Sequence, residues 1–386
     1  MFTLCTARGI SVSHVAWDVH AVHGPHAMYS VKSLGTASAV VHRFGTRWFR
    51  KLPATGQGGS VTGKLGQITQ ASGGIFSRSQ ALDCGETDRS LAAAVRDGAL
   101  IRLRRGFYVP ADIYAAADQS AKHLLSARAA VASQRGRVAL SGVSAAALHG
   151  FAIHDTPLDV VHLVRLDNGS TRTEAGIVHH GSRREIAEEI GSYEGILAST
   201  PTRAVWEVAC RSSLEGGVVT ADSALHRRPE IKDSLDALHD RFALFPGSTK
   251  ARTVMRLADG RSESPGESVT RVQFYRYGIP MPEPQFDVVG LRGELIGTAD
   301  FYWEDFRHLG EFDGKVKYQK LLRPGESASD CVIREKRRED AMRAGNRGMT
   351  RFIWSEVMPR NARRTMTDLK AALDQSRRLY VRRRTA

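Results

Sequence analysis

A chain of 386 residues with 42% hydrophobic side chains is long enough for two or three cores and too apolar to be largely disordered. Its 55 lysines and arginines against 41 carboxylates leave a net charge of +14, which favours a polyanionic partner and argues against an acidic, solvating chain. The four cysteines form no C-x-x-C pair, no apolar run approaches a membrane span, and no basic-then-apolar leader opens the chain, so a zinc ribbon, a disulfide scaffold and a membrane protein are not expected.

A reduced cytoplasmic setting fits this composition, and nothing in the sequence fixes an oligomeric state. The basic excess sits at the two ends of the chain. Residues 1–60 lack helical or strand periodicity and close on Ala54-Thr-Gly-Gln-Gly-Gly-Ser60, so they read as a flexible basic extension. Within it, His42 to Lys51 interleaves cations with aromatics, as nucleic-acid-binding arms do and as solvated surface runs also do.

From Gly63 the pattern sharpens. Leu65 and Ile68 predict a first helix, Ser77 an N-cap for Arg78–Asp83, and Gly85 its stop. Thr87 caps a third helix whose apolar stripe is Leu91, Ala94 and Val95, leaving Arg89, Ser90 and Arg96 exposed before Gly98 ends it. Leu100 to Pro110 reads as two short strands turning near Arg105-Gly106, with Arg102, Arg104 and Arg105 at or beside the tip. Three short helices and a basic hairpin over residues 61–114 define a winged helix-turn-helix. Its third helix suits the major groove of double-stranded DNA and its hairpin arginines suit phosphate. The competing reading is a module for protein contacts alone, because its charges are nearly balanced.

Residues 115–250 read as a mixed α/β middle domain. Helix is expected at Ala127–Ala132, Ser141–Gly150, near Arg183–Ile190, at Thr202–Ala209 and at Thr220–His226, with strands at Leu158–Arg165 and Ile177–His180. Residues 251–358 form a last compact unit: a helix from Glu267 to Tyr277, strands at Gln285–Val289, Glu294–Trp303 and Arg307–Lys317, a basic helix Val332–Arg343, and a strand Thr350–Trp354. That order predicts an α/β domain with a mixed sheet, followed by a basic helical tail, residues 359–386. The whole is a multi-domain α/β chain.

The chemistry-bearing residues concentrate in the last unit. On a strand, Glu311, Asp313 and Lys315 share one face while Phe312 takes the other, and Asp300 sits on the neighbouring strand. Carboxylates from two strands and a lysine are the groups that a hard divalent cation, Mg²⁺ or Mn²⁺, and a phosphate ester require, with Glu267 as a further ligand or water-orienting group. Edge-strand charges kept for solubility are the plainer alternative. Lys336, Arg337 and Arg338 follow and can track a phosphate backbone. Other motifs lead nowhere: Gly247-Ser-Thr lacks the paired carboxylates of a nucleotidyltransferase loop, and no P-loop or nucleophile elbow is present. Ser141 and Ser144 near His149 read as packing and capping residues, and His179 and His180 point to opposite strand faces.

Two resemblances follow from these residues. Gly74-Ile-Phe-Ser-Arg-Ser-Gln-Ala-Leu82, Val95-Arg-Asp-Gly98 and Leu103-Arg-Arg-Gly-Phe-Tyr108 resemble the winged helix of AbiEi-type antitoxins of type IV toxin–antitoxin systems, and Ser141–Phe151 with Ser199-Thr-Pro-Thr-Arg203 resembles the middle segment of the same actinobacterial proteins. That resemblance implies operator binding, autoregulation, and a nucleotidyltransferase-like toxin as a genetic partner. Glu263-Ser-Pro-Gly-Glu-Ser268, Asp300-Phe-Tyr-Trp303 and Gly310-Glu-Phe-Asp-Gly314 are similar to the very-short-patch-repair-type branch of PD-(D/E)XK endonucleases. It implies metal-assisted DNA hydrolysis with Glu267, Asp300, Glu311 and Asp313 at the matching positions. Lys317-Tyr318 stand where that branch often has a histidine.

Overall fold

The computed structural model describes residues 63–134, 137–167, 169–181, 188–290, 292–314 and 328–381. These belong to one compact unit, Trp48–Ala386. The basic extension and residues 183–187 of the helix expected near Arg183–Ile190 lie outside the described residues.

The first module is built by local signals. Helix α1 (Lys64–Ala71) leads to a two-residue strand β1 (Phe76–Ser77), then α2 (Arg78–Asp83) and α3 (Asp88–Arg96). Ser77 and Thr87 each close a capping box, with Gln80 and Ser90 as their partners, so both helices start where the sequence signals. Strands β2 (Leu100–Arg104) and β3 (Phe107–Pro110) form the hairpin, and β1 adds to it in the order β1-β3-β2. The sequence reading missed β1, because a two-residue strand exists only through its pairing of Phe76 with Tyr108 and Ser77 with Phe107. Leu65, Phe76, Ala81, Leu91 and Leu100 make the small core. Each large side chain there contributes roughly 1.5–3 kcal/mol by leaving water.

The back of the hairpin does not face solvent. Following α4 (Ala111–Ala116), helix α5 (Gln119–Ala132) supplies Leu125 and Ala129, which pack with Ile101, Leu103, Phe107 and Val109. The wing is thereby braced.

The middle sheet has six strands, β4 (Val138–Leu140), β5 (Val161–Arg165), β6 (Arg172–Glu174), β7 (Ile177–His180), β8 (Ile190–Tyr193) and β9 (Ile196–Ser199), in the order β6-β7-β5-β4-β9-β8. Ile190 thus opens a strand instead of closing a helix. The β8–β9 hairpin turns on Glu194 and Gly195, both at positive φ, 49° and 76°, the pairing that a tight two-residue turn demands. One face of the sheet is covered by α5, α6 (Gly142–Leu148) and α7 (Pro201–Arg211), on which α8 (Leu214–Arg227), α9 (Lys232–Arg241) and α10 (Ser248–Leu257) build a further layer, and the apolar sides of all six share a single core. Helix α8 begins earlier than the apolar pattern suggests. Its Gly216-Gly217 pair permits close packing: a Cβ on Gly217 would lie 2.7 Å from Val254.

The last unit follows the expected order. Helix α11 (Pro265–Arg276) is tied to α8 by the buried Asp222–Arg271 pair at 2.9 Å. The sheet runs β10 (Glu283–Val289), β11 (Leu295–Trp303), β12 (His308–Asp313) and β13 (Gly348–Ile353), the first three antiparallel. Helix α12 (Ala328–Arg343) carries the chain across so that β13 joins β12 in parallel. Trp354 opens the one-turn α13 (Trp354–Val357), and α14 (Pro359–Tyr380) buries Met366, Leu369 and Leu373 in the same core as Phe274, Phe301, Trp303 and Phe352. The terminal helix is therefore part of the domain up to Tyr380.

Candidate nucleic-acid interface and carboxylate site

Helix α3 is anchored at its start. Arg78 of α2 grips Asp88 in a two-point pair at 2.6 and 2.5 Å, and the backbone N–H of Arg78 donates to the Gly106 carbonyl at the wing tip, 2.8 Å. Helix and wing are thus set relative to each other by the residue that opens α2. Arg89 is exposed on α3. Ser90, expected as a DNA contact, is committed to the cap: its hydroxyl accepts the Thr87 N–H at 2.9 Å and donates to Glu86 at 2.6 Å. Arg96 lies 3.9 Å from Asp97. Arg102, Arg104 and Arg105 cluster at the wing, where Gly106 at φ 79° makes the turn, and their side chains have no acceptor among the described residues. With Arg89 they form, among the described residues, a set of guanidiniums without a carboxylate partner on one small module.

The carboxylate site grows from a split between two strands. The β11–β12 ladder pairs Trp303 with His308, Tyr302 with Leu309 and Phe301 with Gly310, and goes no further. The next step sets Asp300 opposite Glu311. There the Asp300 carboxylate accepts the Phe312 N–H at 2.6 Å, so a side chain replaces the missing ladder bond. Glu311 is buried and takes Arg338 of α12 on Oε1 at 2.7 Å and Arg351 of β13 on Oε2 at 3.5 Å. Burial pushes the Glu311 carboxyl above the usual carboxylate range and the Asp300 charge acts in the same sense, while Arg338 and Arg351 oppose both. Arg351 also meets Glu339 at 3.0 Å, and Glu339 holds Arg343 at 2.8 Å. Asp313 is half-buried at the strand end, and Lys315 lies outside the described residues.

Glu267 is drawn into a different task. On the first turn of α11 its carboxylate accepts from the Glu263 N–H at 2.9 Å, the Ser264 hydroxyl at 2.6 Å and the Gln285 amide at 3.0 Å. Gln285 stands between the Pro284–Phe301 and Phe286–Ala299 pairs with φ at 55°, a left-handed conformation that a non-glycine residue adopts only where its surroundings require it. Sequence reasoning missed Gln285 and Arg351. An isolated glutamine carries no signal, and Arg351 meets Glu311 only through the parallel β12–β13 register.

The donors do not fit a divalent ion as they stand. No group of three metal-competent side chains converges among the described residues, and both Glu311 oxygens already carry a guanidinium. Of the expected phosphate-tracking cations, Lys336 and Arg337 are exposed on α12, whereas Arg338 turns inward to Glu311.

The serine–histidine question in the middle domain is also settled by geometry. Ser144 pairs with His123, not His149: His123 Nδ1 donates to the Leu158 carbonyl at 2.8 Å, which leaves Nε2 to accept from the Ser144 hydroxyl at 2.9 Å. Both residues are fully enclosed, and the same hydroxyl takes the His162 N–H. This dyad holds α5, α6 and β5 together.

A winged helix set on an α/β chain is the class of protein the fold defines. Residues 67–111, the winged-helix segment, match the model of a family described as transcriptional regulator, AbiEi antitoxin. Two uncharacterized proteins from two strains of Mycobacterium tuberculosis are each 29% identical over 272 residues, covering 66% of this chain and 93% of theirs. Among the described residues no helix is long and apolar enough to cross a membrane.

Proposed function

We propose that the chain is a DNA-binding transcriptional regulator of the AbiEi antitoxin type, acting on double-stranded DNA through α3 and the wing. The observation that carries this is the set of arginines without a partner among the described residues, Arg89, Arg102, Arg104 and Arg105, on a module whose helix and wing are braced in fixed relation. Phosphate is the natural acceptor for such guanidiniums, and releasing the counterions of DNA supplies the affinity. Autoregulation and a co-transcribed nucleotidyltransferase-like toxin complete the reading. In a gel-shift assay, the DNA upstream of the chain's own gene is retarded at concentrations that leave unrelated duplex free, with EDTA present or absent. Equal retardation of both duplexes contradicts a regulator.

A second reading, Mg²⁺- or Mn²⁺-dependent cleavage of DNA phosphodiesters by a PD-(D/E)XK-like domain, is favoured by one observation, the opening of the β11–β12 ladder where Asp300 faces Glu311. Under it Asp300, Glu311 and Asp313 would hold the ion only after Glu311 is released by Arg338 and Arg351 and the three carboxylates close together. The ion would supply Lewis-acid activation of the phosphate and of water, with Lys315 as the phosphate-neutralising group. Nicking of supercoiled DNA in Mg²⁺ by the wild type but not by Asp300→Ala is the expected result; identical yields contradict it.

A further inference from the structure

We infer that Arg338, backed by Arg351, is the resident counter-charge of Glu311, so that the carboxylate takes a divalent cation only after α12 gives up this ion pair. The inference deepens the second reading, since it concerns the same carboxylates.

The argument begins with lone pairs. A hard divalent ion binds carboxylate oxygen at about 2.0–2.6 Å and carries twice the charge of a guanidinium. Glu311 Oε1 is already engaged by Arg338 at 2.7 Å and Oε2 by Arg351 at 3.5 Å. Asp300, the facing carboxylate, spends one oxygen on the Phe312 N–H. Glu267 accepts three protein donors in the cap of α11. A cation entering this pocket would meet two guanidiniums at close range, with the Glu311 side chain only 12% exposed and little water to screen the repulsion.

Arg351 is shared between Glu311 and Glu339 and leaves its main acceptor within reach if it shifts. Arg338 holds Glu311 Oε1 and lies across the sheet, its Nη1 3.3 Å from the Met342 sulfur and 3.2 Å from where a side chain on Gly297 would begin. The bare glycine at 297 gives the guanidinium room to cross β11. The pair therefore also latches α12 to the sheet, and a metal ion and the latch exclude one another.

Mn²⁺ binding to the full-length chain, followed by electron paramagnetic resonance of the free ion, tests this without reference to cleavage. Arg338→Ala should bind Mn²⁺ at least about tenfold more tightly than the wild type, and Arg338→Ala combined with Glu311→Gln should lose the gain. Arg338→Met, which keeps the aliphatic stem on the sheet, should reproduce the gain if the alanine variant is unstable. Equal Mn²⁺ affinity of wild type and both Arg338 variants overturns the inference, as does a gain that survives Glu311→Gln. Failure of the nuclease reading is seen separately, in the nicking assay.

Discussion

Glu267 shows how a residue with a catalytic appearance can be a builder. Its carboxylate closes the first turn of α11 and accepts the amide of Gln285, which stands in a left-handed conformation on strand β10. Glu267→Ala would leave the Glu263 N–H and the Gln285 amide without an acceptor in a buried corner, so it should destabilise the chain by about 3 kcal/mol in urea unfolding, with Glu267→Gln recovering part of the loss. An alanine variant as stable as wild type contradicts this role. The carboxylates of this domain were legible as a set in the sequence. Their partners were not, because Arg338 and Arg351 reach Glu311 from elements 27 and 40 positions further along the chain.

Among the elements, those with local signals were the readable ones. Ser77 and Thr87 cap α2 and α3 as their sequence positions imply, and the hairpin turns at Arg105-Gly106 as expected. Strands β1, β4, β6, β8 and β9 escaped because two to four residues carry too little alternation, and β1 and β4 are besides fixed by partners far along the chain. Thr87→Ala should cost about 1 kcal/mol in thermal or urea unfolding and weaken DNA binding by loosening the start of α3. Unchanged stability would show that the Arg78–Asp88 pair alone sets this helix. Gly266 on α11 is held by a different constraint: a Cβ there would lie 1.9 Å from Phe312. Gly266→Ala should therefore displace β12 from α11 and destabilise by roughly 1–3 kcal/mol; a variant with wild-type stability and near-ultraviolet spectrum contradicts that packing.

At the scale of the whole molecule, buried histidines make stability depend on acid. Burial pushes His149, His162, His180 and His308 down to about 4, with nearby arginine charge adding to the effect. Unfolded histidine takes a proton near 6.5, so between about 6.5 and 4 the unfolded chain binds protons that the folded chain refuses. Stability should be full above that window and fall as pH drops through it, by at most about 1.4 kcal/mol per pH unit for each histidine. Urea midpoints that stay level from pH 7 to pH 5 contradict this. The stacked His162–His180 pair, ring nitrogens 3.0 Å apart, should charge with most difficulty because a second imidazolium would face the first.

The same scale holds the central claim, that one braced module carries the DNA contact while the larger domains support it. Fluorescence anisotropy of a labelled duplex from the upstream region, titrated with wild type and with Arg102→Ala/Arg104→Ala/Arg105→Ala over a range of salt, tests it most directly. If each arginine meets a phosphate, the triple variant binds more weakly and its slope of log K against log salt is shallower by roughly 2–3. An identical affinity and slope for the two proteins would remove the wing from the DNA and contradict the account.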